Sequence, residues 1–320
     1  MKIGNLELDG AVFMAPMAGI TDPPYRRVVQ EFGVSALWTE MISSHAVVKA
    51  HKVLPTMDIA NHRLPVIFQV IGKDPEIMAE CARIVEGFGA AAIDINMGCP
   101  ARQVVGAGGG AALMCDPDLV KHVVREVRRA VSIPLTVKMR AGWDEKRLNA
   151  PEVAGIVEKE GADAIVVHGR CRSAVHSGPV SLELIRQVCE TVSIPVIGNG
   201  GVSDITTAVN MFQETGCRGI MIGRGVLGRP WFPQKILESI FRFPVYNPGS
   251  SLGGIVRSHF EDQLSCSGVL QGIRKMRKHL GWYSRGVAGA SEFRSSVFTE
   301  NDPKRVVVSI NNFFGKVVVP

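Results

Sequence analysis

Eight short apolar runs recur along the chain, at 11–17, 36–41, 65–71, 91–97, 134–140, 164–168, 194–199 and 218–223. Amphipathic stretches with helical spacing lie between them at 75–88, 116–130, 150–160, 182–191 and 204–214. Strands alternating with helices imply βαβ units and a parallel sheet. Eight such units in roughly 230 residues match a closed (β/α)8 TIM barrel. An open doubly wound sheet would carry a Gly-x-Gly-x-x-Gly turn after its first strand. Here that turn reads Ala15-Pro16-Met17-Ala18-Gly19. The alternation stops after Trp231, and the remainder reads as helices with a polar break at 246–251. Two units are expected: a barrel over 1–233 and an all-helical domain over 234–320. Within the second, 269–284 is amphipathic. Ile273, Met276, Leu280 and Tyr283 share one face, and Arg274, Lys275, Arg277 and Lys278 lie toward the other.

Parity along the strands separates the barrel interior from the helix-facing side. In Leu135-Thr136-Val137-Lys138-Met139-Arg140, the apolar set suits the helices, so Thr136, Lys138 and Arg140 point inward. A lysine inside a barrel is costly unless an anionic or strongly polar group meets it. Other runs repeat the pattern, with Glu40, Gln69, Asp94, Asn96, His168 and Asn199 near their C-terminal ends. Lone instances are ordinary satisfied core residues. Six strands doing this together imply a polar ligand site at the C-terminal mouth.

The fourth run ends in Asn96-Met97-Gly98-Cys99-Pro100, followed by Gly106-Ala107-Gly108-Gly109-Gly110. Pro100 blocks continuation of the strand, and Gly98 lets the backbone turn. The small residues beyond allow a mobile or closely approaching loop. Cys99 therefore leaves its strand where parallel α/β proteins keep their chemistry. A cysteine is otherwise most often a small buried hydrophobe.

Runs seven and eight end in Asn199-Gly200-Gly201 and Gly223-Arg224-Gly225. In barrels these loops often bind phosphate through backbone N–H groups and a helix N-terminus. A phosphorylated ligand across the mouth follows, with a planar ring over Pro16-Met17 near Gln69 and Lys138. A lysine there favours the anionic reduced form of a flavin, so flavin mononucleotide (FMN) fits. A phosphosugar fits the same spacing.

Apolar residues make up 46% and charged residues 21% of the chain, which is globular and leaves no room for long disorder. No run is long enough to span a membrane, and Met1 opens no signal region, so a cytoplasmic protein is expected. The seven cysteines are odd in number and scattered, which points to reduced thiols and to no zinc site. A net charge of +6 is compatible with an acidic partner such as RNA.

The ordered set of motifs resembles the tRNA-dihydrouridine synthases. It comprises residues 14–22 from Met14, Thr39-Glu40-Met41, Gln69, 94–100, Val137-Lys138-Met139-Arg140, His168-Gly169-Arg170, Gly198-Asn199-Gly200 and Ile222-Gly223-Arg224. Gly228-Arg229-Pro230-Trp231 and residues 276–284 resemble the bacterial B-type branch. The resemblance implies an FMN-dependent barrel that reduces particular uridines in tRNA, NADPH reducing the flavin. It implies FMN contacts at Pro16, Met17, Ala18, Gln69, Lys138, His168, Asn199, Gly200, Gly201, Gly223 and Arg224. Asn96 and Arg140 would line the uracil pocket, and Cys99 would be the general acid. Arg102 and the Arg274, Lys275, Arg277, Lys278 cluster are candidate tRNA phosphate contacts. No metal is implied, and a monomer is expected. The chain departs from the pattern at Gly201, where an acidic residue is usual. Cys171 replaces a usual threonine and His176 a common tyrosine. The 103–110 loop lacks the usual lysines.

The residue types suit the chemistry. Reduction of the C5–C6 bond needs a hydride at C6 and a proton at C5, and a thiol above the ring can supply the proton. The base must leave the RNA stack to be reached. The alternative is an FMN barrel acting on a free pyrimidine or enone, which leaves the helical domain without a purpose. A non-catalytic RNA-binding module would not need both Cys99 and Lys138.

Overall fold

The computed structural model describes residues 1–50, 57–175, 177–242, 251–315 and 317. Eight parallel strands form the barrel: β1 (Val12–Met14), β2 (Leu37–Trp38), β3 (Val66–Ile71), β4 (Ala92–Met97), β5 (Leu135–Arg140), β6 (Ala164–His168), β7 (Val196–Asn199) and β8 (Gly219–Ile222). Each lies inside an expected run. Pairing runs β1-β8-β7-β6-β5-β4-β3-β2. Ser35 closes the ring: its N–H donates to the Val12 carbonyl at 2.9 Å, and its Oγ accepts the Val12 N–H at 3.4 Å. β2 is shorter than its apolar run, and Ile42–Ser43 forms a separate short strand that pairs with β3.

Helices follow the strands at Pro75–Gly87, Pro117–Ala130, Ala150–Lys159, Leu182–Thr191 and Ile205–Thr215. Their starts are encoded locally. Asp74, Asp116, Ser181 and Asp204 each accept a first-turn N–H, and proline stands in the first turn after both Asp74 and Asp116.

Parity operates as expected. Leu135, Val137 and Met139 pack with the helices. The inward set forms a second core of Phe13, Trp38, Ile67, Ala92, Ala164, Val166, Ile197 and Met221. Phe13 and Trp38 meet edge to face with centroids 5.4 Å apart. The N-terminal hairpin, Lys2–Ile3 with Leu6–Glu7, brings Ile3 and Leu8 onto the bottom of this interior. The lower half is thus apolar and sealed, and polar inward residues collect at the C-terminal mouth.

The C-terminal part is all-helical: Leu252–Ser267, Val269–Tyr283, Ala290–Thr299 and Pro303–Phe314 surround Val256, Phe260, Met276, Leu280, Val306 and Ile310. Ser251, the last residue of the expected polar break and its one described position, caps the first of these helices. The expected boundary after residue 233 falls within the short helix Phe232–Ile236, whose Phe232 and Ile236 belong to the barrel core. Phe32 and Trp231 join the helical unit's core, and Arg27 grips Asp262 with two bonds of 2.7 and 3.0 Å. Among the described residues, no helix is long and apolar enough to cross a membrane.

Candidate functional site at the barrel mouth

Register sets the expected polar residues beside one another. Gln69 lies opposite Asp94, Asp94 opposite Thr136, Asn96 opposite Lys138, and Arg140 opposite His168. The buried Asp94 carboxylate accepts from Gln69 Nε2 at 2.6 Å and from the Thr136 hydroxyl at 2.6 Å. Because an ionised carboxylate only accepts, Gln69 must present its amide NH2 to Asp94. Its Oε1 then faces the other way and accepts from Asn96 Nδ2 at 2.7 Å. That in turn aims Asn96 Oδ1 at the loop, where it accepts the N–H groups of Gly98 and Cys99 at 3.0 and 2.9 Å. One chain of amides therefore ties the Cys99 turn to the barrel centre.

Lys138 keeps part of its surface open to the mouth and donates to Asn199 Oδ1 at 2.8 Å. Asn199 is oriented by its own Nδ2, which donates to the Met221 carbonyl at 2.7 Å. Burial pushes the Lys138 ammonium down from its ordinary value, and Asp94 pulls it up. Burial raises the Asp94 carboxyl, while Thr136 and Gln69 lower it. Each charge thus offsets the other's desolvation.

Cys99 is half-buried above this layer. Its carbonyl accepts the Ala111 N–H at 3.1 Å. Gly110 has φ +59°, and a Cβ there would sit 2.7 Å from the Cys99 carbonyl oxygen. Close approach to Cys99 is therefore what requires this glycine. Arg102 begins the short helix Arg102–Gly106 beyond Cys99 and is exposed, with no partner among the described residues.

Arg140 is buried, and its guanidinium donates to three carbonyls: Gly98 at 2.7 Å, Cys171 at 3.0 Å and Val175 at 2.9 Å. It joins the Cys99 turn to the loop after β6, so its reach into the pocket is through the backbones it holds. Cys171, one of the departures, is buried, with Sγ 3.2 Å from Ser173 Oγ. His176 lies outside the described residues.

At the β7 and β8 ends, Gly200 and Gly201 have φ +108° and +72°, and Arg224 is exposed. A side chain at 201 would be strained at this φ, and its Cβ would lie 3.1 Å from Val180 Cγ2. A Cβ on Gly223 would meet nothing within 4 Å, so its backbone faces open space. Arg170 Nη1 lies 3.4 Å from His168 Nε2. Pro16 and Met17 are half-buried at the β1 end, beside exposed Ala18.

The cationic face of Val269–Tyr283 is not one surface. Arg274 is exposed. Arg277 donates to the Glu300 carbonyl and to Asn301 Oδ1 at 3.3 and 3.0 Å. Lys275 lies 3.6 Å from Asp22, and Lys278 donates to the Gly19 carbonyl. Asp94 and Thr136, the hub of the polar layer, are expected from sequence only as inward-pointing polar residues and are not among the expected ligand contacts. Their inward parity was readable, but their pairing needed the register.

The architecture defines the class: a closed parallel barrel with a polar, cationic mouth, a thiol loop over it and a docked helical unit. The family model of dihydrouridine synthases (Dus) matches residues 13–315. The probable tRNA-dihydrouridine synthase of Rickettsia conorii is 39% identical over 99% of this chain and 97% of its own length. The tRNA-dihydrouridine synthase B of Pasteurella multocida is 36% identical over 100% and 97%. The chain belongs to the dihydrouridine synthase family. Histamine dehydrogenase from Rhizobium sp. 4-9 shares the fold, with a TM-score of 0.58 at 15% identity over 82% of this chain and 50% of that one.

Proposed function

We propose that this protein reduces uridines in tRNA to 5,6-dihydrouridine, with FMN as cofactor and NADPH as reductant. The observation that carries the reading is the amide chain from Asp94 through Gln69 and Asn96 to Cys99, beside the Lys138–Asn199 pair. It holds the turn that carries Cys99 at the C-terminal mouth of the barrel in a member of this family.

The residues fit a phosphorylated flavin. Lys138 would offer a donor to an electron-rich ring, Gln69, with its amide committed to Asp94 and Asn96, would underlie it, and Pro16, Met17 and Ala18 would form its bed. His168, Asn199, Gly200, Gly201, Gly223 and Arg224 would hold the phosphate end, where the backbone of Gly223 has open space. Bound there, FMN would supply the hydride that uracil C6 requires. Lys138 supplies positive charge near the ring, which favours its anionic form. Asn96 and Arg140 shape the uracil pocket, chiefly by fixing the loops on either side. The Cys99 thiol delivers a proton to C5 on the opposite face. Arg102 and Arg274, both exposed, are the cations best able to meet RNA phosphates and offset the unstacking of the base. No step needs a metal or a membrane, and a cytoplasmic monomer suffices.

The test uses tRNA from a strain without such enzymes. Incubation with the protein and NADPH should yield dihydrouridine. Cys99→Ala should keep flavin and its reduction by NADPH while losing most tRNA reduction. Reduction of free uracil with none on tRNA would favour the small-molecule alternative and overturn the proposal.

A further inference from the structure

The cationic stretch of Val269–Tyr283 reads in sequence as an RNA-facing surface, yet Lys278 points at the barrel. Its ammonium donates to the carbonyl of Gly19, at the tip of the turn after β1. The N–H of the same residue donates to Glu40, just beyond β2. Gly19 is thus gripped on both sides, by the barrel through Glu40 and by the helical unit through Lys278. Its φ of +72° lets both groups face their partners.

The base of the turn is held independently. The Met17 N–H donates to Thr21 Oγ1 at 3.0 Å, and the Met17 carbonyl accepts from Ile20 and Thr21 at 3.0 Å each. Ala18 and Gly19 are exposed, so the tip depends on Glu40 and Lys278. Lys278 is half-buried: burial pushes its ammonium down, Asp22 and Glu40 pull it up, and Lys275 opposes them. The setting is that of a cation bonded to a carbonyl in the field of two carboxylates, one of which, Asp22, lies 3.6 Å from Lys275.

We propose that Lys278 is a positioning residue for the Pro16–Gly19 turn, coupling docking of the helical unit to occupancy of the cofactor site. The proposal rests on the reading of Pro16, Met17 and Ala18 as the flavin bed. Without the ammonium, the Gly19 carbonyl turns to water and Asp22 and Glu40 lose a counter-charge. The turn then samples more conformations, and a ligand that needs one of them binds less tightly in proportion to that population. By reciprocity, a ligand that holds the turn strengthens docking by the same factor.

Lys278→Met keeps the aliphatic stem and removes the charge. Three measurements on the full chain test it. FMN affinity, titrated by flavin fluorescence on flavin-stripped protein, should fall about tenfold, the usual scale of such coupling. Hydrogen exchange at residues 17–21 should accelerate, whether or not flavin is present. The salt dependence of tRNA binding should keep its slope. Unchanged FMN affinity with a slope lower by about one unit would make Lys278 a phosphate contact and overturn the proposal. No change in any readout would overturn it equally. Lys278→Gln gives a second route if the methionine variant folds poorly. Should the unmodified chain bind no FMN, the cofactor reading fails, while hydrogen exchange still reports on the clamp.

Discussion

Asn96 Oδ1 accepts the backbone N–H of Cys99 at 2.9 Å, so the residue at the end of β4 holds the turn that carries the thiol. Asn96→Leu removes this acceptor and the donor to Gln69 together. A displacement near 1 Å in a reacting group costs on the order of 100-fold in rate. Dihydrouridine formation should fall by that order while flavin reduction by NADPH changes little. Equal loss in both half-reactions would place the role of Asn96 elsewhere.

Asp94 has separable roles as acceptor and as charge. Asp94→Asn can still accept from Gln69, and the Thr136 hydroxyl can turn to the Ile93 carbonyl at 3.4 Å. Asp94→Leu strands the Gln69 amide, whose acceptor is lost, and should cost about 1–3 kcal/mol, read from urea midpoints. The asparagine variant also removes the carboxylate that pulls the Lys138 ammonium up, leaving burial and Arg140 to push it down. The alkaline limb of flavin reduction should therefore move to lower pH in Asp94→Asn. An unmoved limb would show that Lys138 does not govern that titration.

Arg140→Lys keeps the charge but cannot reach the carbonyls of Gly98, Cys171 and Val175 at once. A loss of about 2–4 kcal/mol in unfolding free energy is expected from the stranded carbonyls and lost bonds. Protease nicking in both loops should increase; resistance equal to the parent would argue against the brace.

His259 and His279 lie buried where Tyr25 of the barrel meets Tyr283 and Trp282, with their rings 4.7 Å apart. Burial pushes His259 down to about 3 and His279 well below its ordinary value. Between the unfolded value near 6.5 and these folded values, the unfolded chain binds more protons. Stability is therefore fully present above about pH 6.5 and falls with acidification, by up to about 1.4 kcal/mol per pH unit for each ring. Tm at pH 5 should lie well below Tm at pH 7.5, and His259→Phe should flatten the slope. A flat Tm over that range would show that the rings are not held neutral.

Gly228 has φ +77°, and a Cβ there would lie 2.3 Å from the Trp282 carbonyl oxygen. Gly228→Ala should wedge the helical unit away from the barrel and lower Tm by roughly 5–10 °C. A Tm equal to the parent's would mean that the contact yields without cost.

The alternation of runs, the inward parity of Lys138 and Asp94, and the position of Cys99 at a strand end were legible in the sequence, because side-chain direction along a strand and the start of a helix are local properties. Which polar groups pair was not, because register is set by closure of the ring, and a shift of one residue would exchange the inner and outer sets. The assignment of Arg140 to three carbonyls and of Lys278 to Gly19 was likewise hidden. Long cationic side chains go where loops from distant parts of the chain converge, and helical periodicity records only the face from which they start.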